Sequence, residues 1–96
     1  MQNRSKLDDE FTKVVSDNPD RKFILYLRTH PEDEKEKIFM NELSKEYGKY
    51  KELERERTAI FITEGKKVNE FIDKLNSSET ELYLSYIQSE DEIIKR

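Results

Sequence analysis

The residue types able to do chemistry in this chain gather at three short places, each at the end of an apolar run. Arg28, Thr29 and His30 follow the run Phe23 to Leu27, and Thr63, Glu64 and Gly65 follow Ala59 to Ile62. Gln88, Ser89, Glu90, Asp91 and Glu92 follow a third segment, Glu81 to Ile87. If these runs are parallel strands, the three places share one rim, because open parallel sheets collect ligands beyond the carboxyl ends of their strands. Arg28 and His30 would then form an anion-binding pair suited to phosphate. Glu64 with Glu90, Asp91 and Glu92 would supply oxygen ligands or acid-base groups. Consecutive carboxylates do not converge as ligands from separate elements do, so neither a tight metal site nor a catalytic residue is expected among them. Capping and solvation account for the same residues without any site, and for His30 a helix-start role is preferred over catalysis.

Composition removes several classes of chemistry. The 96 residues include no cysteine and one histidine, which excludes a disulfide framework, a thiolate metal site, a cysteine nucleophile and a multi-histidine zinc site. Two glycines, Gly48 and Gly65, are too few for a dinucleotide fingerprint or a P-loop, and no cofactor is expected. The longest unbroken apolar run is Phe23 to Leu27, far short of the ~18 residues of a membrane span. The beginning lacks a basic segment followed by an apolar one, so a soluble, cytoplasmic protein with no membrane partner is expected. With 22 acidic against 18 basic residues and a formal net charge of -4, nucleic-acid binding is disfavoured. Phe23, Tyr26, Arg28, Phe61, Tyr83 and Tyr86 fall where strand aromatics stack bases in some single-strand binders. An apolar fraction of 33% leaves so little core material that most of these rings are assigned to the core. Twelve lysines against six arginines, with a single alanine, suit a low-GC genome, such as that of a virus or mobile element.

The segment Ala59-Ile60-Phe61-Ile62-Thr63-Glu64-Gly65-Lys66, a strand ending in Glu-Gly and running into a helix, resembles the opening of Toprim domains, the fold of topoisomerases and related nucleases. The resemblance covers about eight residues and implies acid-base work for Glu64 and a magnesium-binding Asp-x-Asp at a later strand end. Here Ser89-Glu90-Asp91-Glu92 stands on the very next strand, without the Asp-x-Asp pair and with one strand and one helix too few between the motifs. A Toprim-like, metal-dependent phosphoryl-transfer or nuclease domain is the alternative function that follows.

Positioning these places requires three helices and three strands. Ser5-Lys6-Leu7-Asp8 reads as a capping box. Leu7, Phe11, Val14 and Val15 then give one apolar stripe, which stops at Asp17-Asn18-Pro19-Asp20. Phe23 to Leu27 and Ala59 to Ile62, apolar on successive residues, read as adjacent central strands covered on both faces. Between them the pattern predicts a helix from Pro31 to Arg57, opened by Thr29-His30-Pro31-Glu32. Six acid-to-base pairs at i, i+3 line it, from Glu32/Lys35 to Glu54/Arg57, and Gly48 marks a place for a kink or an end. Val68, Phe71, Ile72 and Leu75 make a third helix ending at Asn76-Ser77-Ser78, preferred over a hairpin turning at Glu64-Gly65. Glu81 to Ile87 alternates as a third strand, and Ile93 to Arg96 forms a last helical turn. The expected fold is one α/β domain over residues 1–96, of order α-β-α-β-α-β. Its three-stranded sheet is mostly parallel and carries one long charged helix. The alternative is an α+β domain, ferredoxin-like in style, with one antiparallel strand.

A helix from Pro31 to Arg57 would be roughly 40 Å long, against strands of ~17–23 Å. Tyr47, Tyr50 and Leu53 continue its apolar stripe past the reach of the sheet, so these side chains are expected to be buried by another chain. The expected function is a small non-enzymatic protein-interaction module, regulatory or inhibitory. It would bind another protein or itself as a homodimer.

Overall fold

A computed structural model describes residues 9–89. The capping box at Ser5 to Asp8 and the last turn at Ile93 to Arg96 lie outside the described residues. In chain order the elements are α1 (Asp9–Asp17), β1 (Lys22–Arg28), α2 (Glu34–Tyr47), β2 (Tyr50–Leu53), β3 (Thr58–Glu64), α3 (Gly65–Ser77) and β4 (Tyr83–Ser89). The strands form one sheet in the order β2-β3-β1-β4, and every neighbouring pair is antiparallel. This overturns the three-stranded, mostly parallel sheet, and it also exceeds the single antiparallel strand of the alternative.

The fourth strand comes out of the segment expected to be one long helix. Gly48 ends α2: its amide donates to Ser44 O at 3.0 Å, and its backbone sits at φ 105°, ψ 168°. That positive φ is easy only for glycine. Beyond it, β2 pairs with β3 through the turn Glu54 to Arg57, closed by Arg57 N donating to Glu54 O at 3.1 Å. The pairs Glu52/Arg55 and Glu54/Arg57 would have supported a helix by only ~0.2–0.5 kcal/mol each. Laying Tyr50 flat on Phe61, with ring centroids 5.0 Å apart, contributes ~0.5–1.5 kcal/mol beyond the area buried. The tertiary contact outweighs the local pattern.

The start of the helix is also later than its Pro31 signal. Asp33 is the N-cap and accepts from the amides of Lys35 (2.9 Å) and Glu36 (3.4 Å). The resulting 14 residues span about 21 Å, a length matched to the strands. From β1 onward the order β-α-β-β-α-β, with each helix bridging two strands that flank a third, is the split βαβ, ferredoxin-like topology. The two crossover units run in opposite directions and step toward opposite edges, so right-handedness puts both helices on the same face.

That face holds the core. Phe23, Leu25 and Leu27 of β1 and Ala59 and Phe61 of β3 pack with Val15, Met40, Leu43, Tyr47, Val68, Phe71, Ile72 and Leu75 of the helices. β1 and β3 are adjacent and central, as the apolar runs predict. The helices nevertheless cover one face alone: Ile24 is 7% exposed, but Ile62 on the same face is 47% exposed. In β4 the register shifts opposite Tyr26/Leu27, leaving Ser85 as the extra residue, with its hydroxyl donating to Tyr26 O at 2.9 Å. A bulge breaks the two-residue alternation. Leu84 and Ile87 therefore face the helices, and Tyr83 and Tyr86 the other side. Gly65 is needed for a different reason from Gly48, since a Cβ there would lie 2.4 Å from Asn18 O.

Two features of this packing yield tests. Arg57 holds φ 51°, a left-handed conformation costing a side chain ~1–2 kcal/mol. Arg57→Gly should raise unfolding free energy by up to about 1 kcal/mol, read by urea denaturation. Burial, then the Glu70 carboxylate, pushes the Tyr47 hydroxyl above its ordinary value of 10, with Lys74 opposing. Burial, then Glu52, raises Tyr50. A raised folded-state value means that the folded protein holds the proton more tightly. The associated stability is full below pH 10 and is lost as pH climbs from there through the folded-state values. Tyr47→Phe should make that alkaline loss shallower. At neutral pH it should cost little stability, because the Tyr47 hydroxyl meets only the Lys74 ammonium, which Glu46 also holds, so removing it strands nothing.

Candidate interaction surface

Strand polarity divides the expected rim in two. Lys22 stands opposite Glu64 and Phe23 opposite Ser89, whereas Arg28 stands opposite Thr58 and Tyr83. The ends of β3 and β4 thus emerge beside the start of β1, and Arg28 and His30 lie a full strand away, ~20 Å. Glu64 is the N-cap of α3 but makes no side-chain cap bond; its carboxylate lies 3.5 Å from Lys66 Nζ. Glu90, Asp91 and Glu92 lie outside the described residues. Among the described residues no group of three or more histidine or carboxylate side chains could hold a metal ion.

His30 belongs to a different arrangement. The Glu36 carboxylate, 1% exposed, accepts from the His30 amide at 2.8 Å and contacts its Nδ1 at 2.6 Å. His30 Nε2 lies 3.6 Å from Glu81 on the approach to β4. Asp33 and Glu36 have the spacing of a capping box, but the glutamate reaches past the cap to the end of β1. The ring is oriented at both nitrogens, and the contacts tie the β1–α2 connection to α2 and to the segment before β4. Arg28 lies at an open-face position of the sheet, while His30 is anchored to α2, so the two are not brought together as an anion-binding pair. Glu36 escaped notice in the sequence because it is one of many acids in a first turn; the signal was the Asp33-x-x-Glu36 spacing.

Tyr47, Tyr50 and Leu53 do not form one stripe. Tyr47 is buried edge-on against Phe71, centroids 5.2 Å apart, with Lys74 over its ring. Tyr50 lies on Phe61 and donates its hydroxyl to Asn41 Oδ1 at 3.2 Å. Leu53, opposite Thr58, is half-buried on the sheet face away from the helices.

That face is the largest feature the sequence did not reveal. Across it run Ile62, Ile24 and Gln88 in one row, Lys51, Ile60, Tyr26 and Tyr86 in the next, and Leu53, Thr58, Arg28 and Tyr83 in a third. Ile62 is 47% and Tyr86 56% exposed. The rings of Tyr26 and Tyr86 lean together at 5.6 Å, tilted 47°, and Tyr26 donates to Gln88 Oε1 at 3.3 Å. Its strand positions carry Lys22, Arg28 and Lys51 against the single acid Glu64, a local excess of base on an acidic chain. The legible signal was β4 itself, Tyr83 to Ser89, without one charge in a chain that is 42% charged.

The buried carboxylate can be tested directly. Glu36→Ala leaves the His30 amide without its acceptor, and a stranded buried donor costs about 1–3 kcal/mol. Glu36→Gln keeps an acceptor and should lose less. Thermal and urea unfolding of both variants give the ranking.

Compared with known protein families, curated proteins and solved structures, this chain matches none.

Proposed function

We propose that this protein is a non-enzymatic interaction module that binds an acidic, apolar segment of another protein across its open sheet face. The observation that carries the reading is the composition of that face. Ile62 and Tyr86 are exposed on it, Ile60, Tyr26 and Tyr83 are half-buried beside them, and Lys22, Arg28 and Lys51 stand around them. An apolar centre within a polar rim is the anatomy of a protein interface, and tyrosine and arginine are the side chains most enriched among binding hot spots. The basic excess selects an acidic partner. A second copy docking face to face would set base against base. The same tyrosines and bases favour single-stranded nucleic acid as a second reading. The aliphatic pair Ile60 and Ile62 offers bases no stacking surface, and this favours the protein partner.

The test is selection of peptides from a displayed library against the full chain, followed by affinity measurement on variants. Selected peptides should combine acidic with aliphatic or aromatic residues. Ile62→Lys with Tyr86→Ala should weaken them at least tenfold, about 1.4 kcal/mol, with the circular dichroism spectrum unchanged. Peptides that bind the double variant equally well overturn the proposal. So does tighter binding of oligo(dT), measured by fluorescence anisotropy and lost in the same variant, which would establish the nucleic-acid reading.

A further inference from the structure

We infer that a cleft between the end of α2, the end of β3 and the start of α3 binds a small phosphate-bearing anion. The cleft encloses about 460 Å³, within the range of small-molecule sites. Lys22, Lys49 and Lys67 line it, each reaching it from a different part of the chain. Two carboxylates also line it, but each is engaged by a lysine that does not: Glu46 bonds Lys74, and Glu64 lies beside Lys66. Lys49 and Lys67 have no ion pair among the described residues, and Lys22 stands opposite Glu64 on the neighbouring strand. Two ammonium groups without a carboxylate partner, with a third beside them, match a phosphate, which carries nearly two negative charges and three strong acceptor oxygens.

The cleft wall supplies a second, independent observation. Thr63, 2% exposed, lines it and carries a buried hydroxyl with no hydrogen-bond partner. Native interiors rarely leave such a donor stranded, and a phosphate oxygen is an acceptor for it. The hydroxyl is not open to water, so the wall must shift to engage it, and a turn about χ1 changes the direction in which it points. The N-terminus of α3 is not the source of this site. Its first two amides already donate to Arg21 O at 2.8 Å and Pro19 O at 3.0 Å. Recognition therefore falls to side chains, with Gly48 and Ile62 completing the wall.

The experiment titrates the full chain with inorganic phosphate and with ribose 5-phosphate, using ribose and chloride as controls. It is followed by calorimetry and by amide shifts in 1H–15N spectra. Both phosphates should bind saturably, with shifts confined to Gly48, Lys49, Thr63 and Lys67. Tighter binding of the ester identifies a phosphorylated metabolite as the occupant, and equal binding identifies free phosphate. Lys49→Glu with Lys67→Glu should lower affinity at least tenfold. Thr63→Val should lower affinity while the unfolding midpoint stays level or rises, a combination that a purely structural hydroxyl would not produce. Tyr86→Ala, at a position of the open sheet face that does not line the cleft, should leave phosphate binding unchanged while weakening peptide binding, which distinguishes the two sites although Lys22 and Ile62 are common to both. Absence of saturable binding overturns the inference, as do shifts scattered over all lysines or affinity untouched by the Lys49 and Lys67 reversals.

Discussion

At Gly48 the backbone takes φ 105°, ψ 168°, and the whole β2 side of the molecule depends on that conformation. A residue with a Cβ is disfavoured there, so helix propagation stops and the chain leaves α2 extended. Within three residues Tyr50 is laid on Phe61, and Tyr47 is held against Phe71, which itself meets Phe61 at 5.1 Å. One permissive residue thus joins the last turn of α2, the edge strand and α3 into a single aromatic stack. The same turn brings Lys49 to the mouth of the cleft.

Charge is spread differently over the two layers. The helices pair Glu34, Glu42, Glu46, Glu70 and Asp73 with Lys35, Lys37, Lys45, Lys66, Lys67 and Lys74 in near balance, whereas the open sheet face carries more base than acid. The helical acids sit beyond the core, where α2 and α3 meet water, and the sheet face shows solvent only what alternates with Phe23, Leu25, Leu27, Ala59 and Phe61. Once those positions are committed to the core, the residues between them are fixed on the opposite face, whatever their chemistry. A formal charge of -4 describes the chain and neither of its faces.

Much of the element order was legible, and the reasons for the misses are specific. Apolar residues at helical spacing located α3, and the successive apolar runs located β1 and β3, because burial on the core side leaves a strong periodic mark. β2 was hidden because Tyr50 to Leu53 is short and sits amid glutamates, lysines and arginines whose spacing also suits a helix. The decisive contact, Tyr50 on Phe61, is long-range and leaves no local trace. Strand direction was missed because a run such as Phe23 to Leu27 reads the same in a parallel or an antiparallel sheet. With it went the common rim of Arg28, His30 and Glu64. The Ser85 bulge reversed which of the β4 side chains face the helices, so tyrosines assigned to the core proved to be surface. The cleft assembles from three separate stretches and has no motif at all.

The place of β4 has a kinetic consequence. The β2–β3 hairpin and the α3 helix that follows it are built from neighbours in sequence, and such local units form early because little loop entropy is lost in closing them. β4 must instead find β1 across a long loop; Tyr26 and Gln88, in contact in the folded protein, are 62 residues apart. Slow, non-local pairing of this kind comes late. Until it is complete, an uncharged strand of seven residues remains free to pair with a like strand of another chain. Folding yield is therefore expected to fall with protein concentration more steeply than the stability of the finished fold alone would indicate.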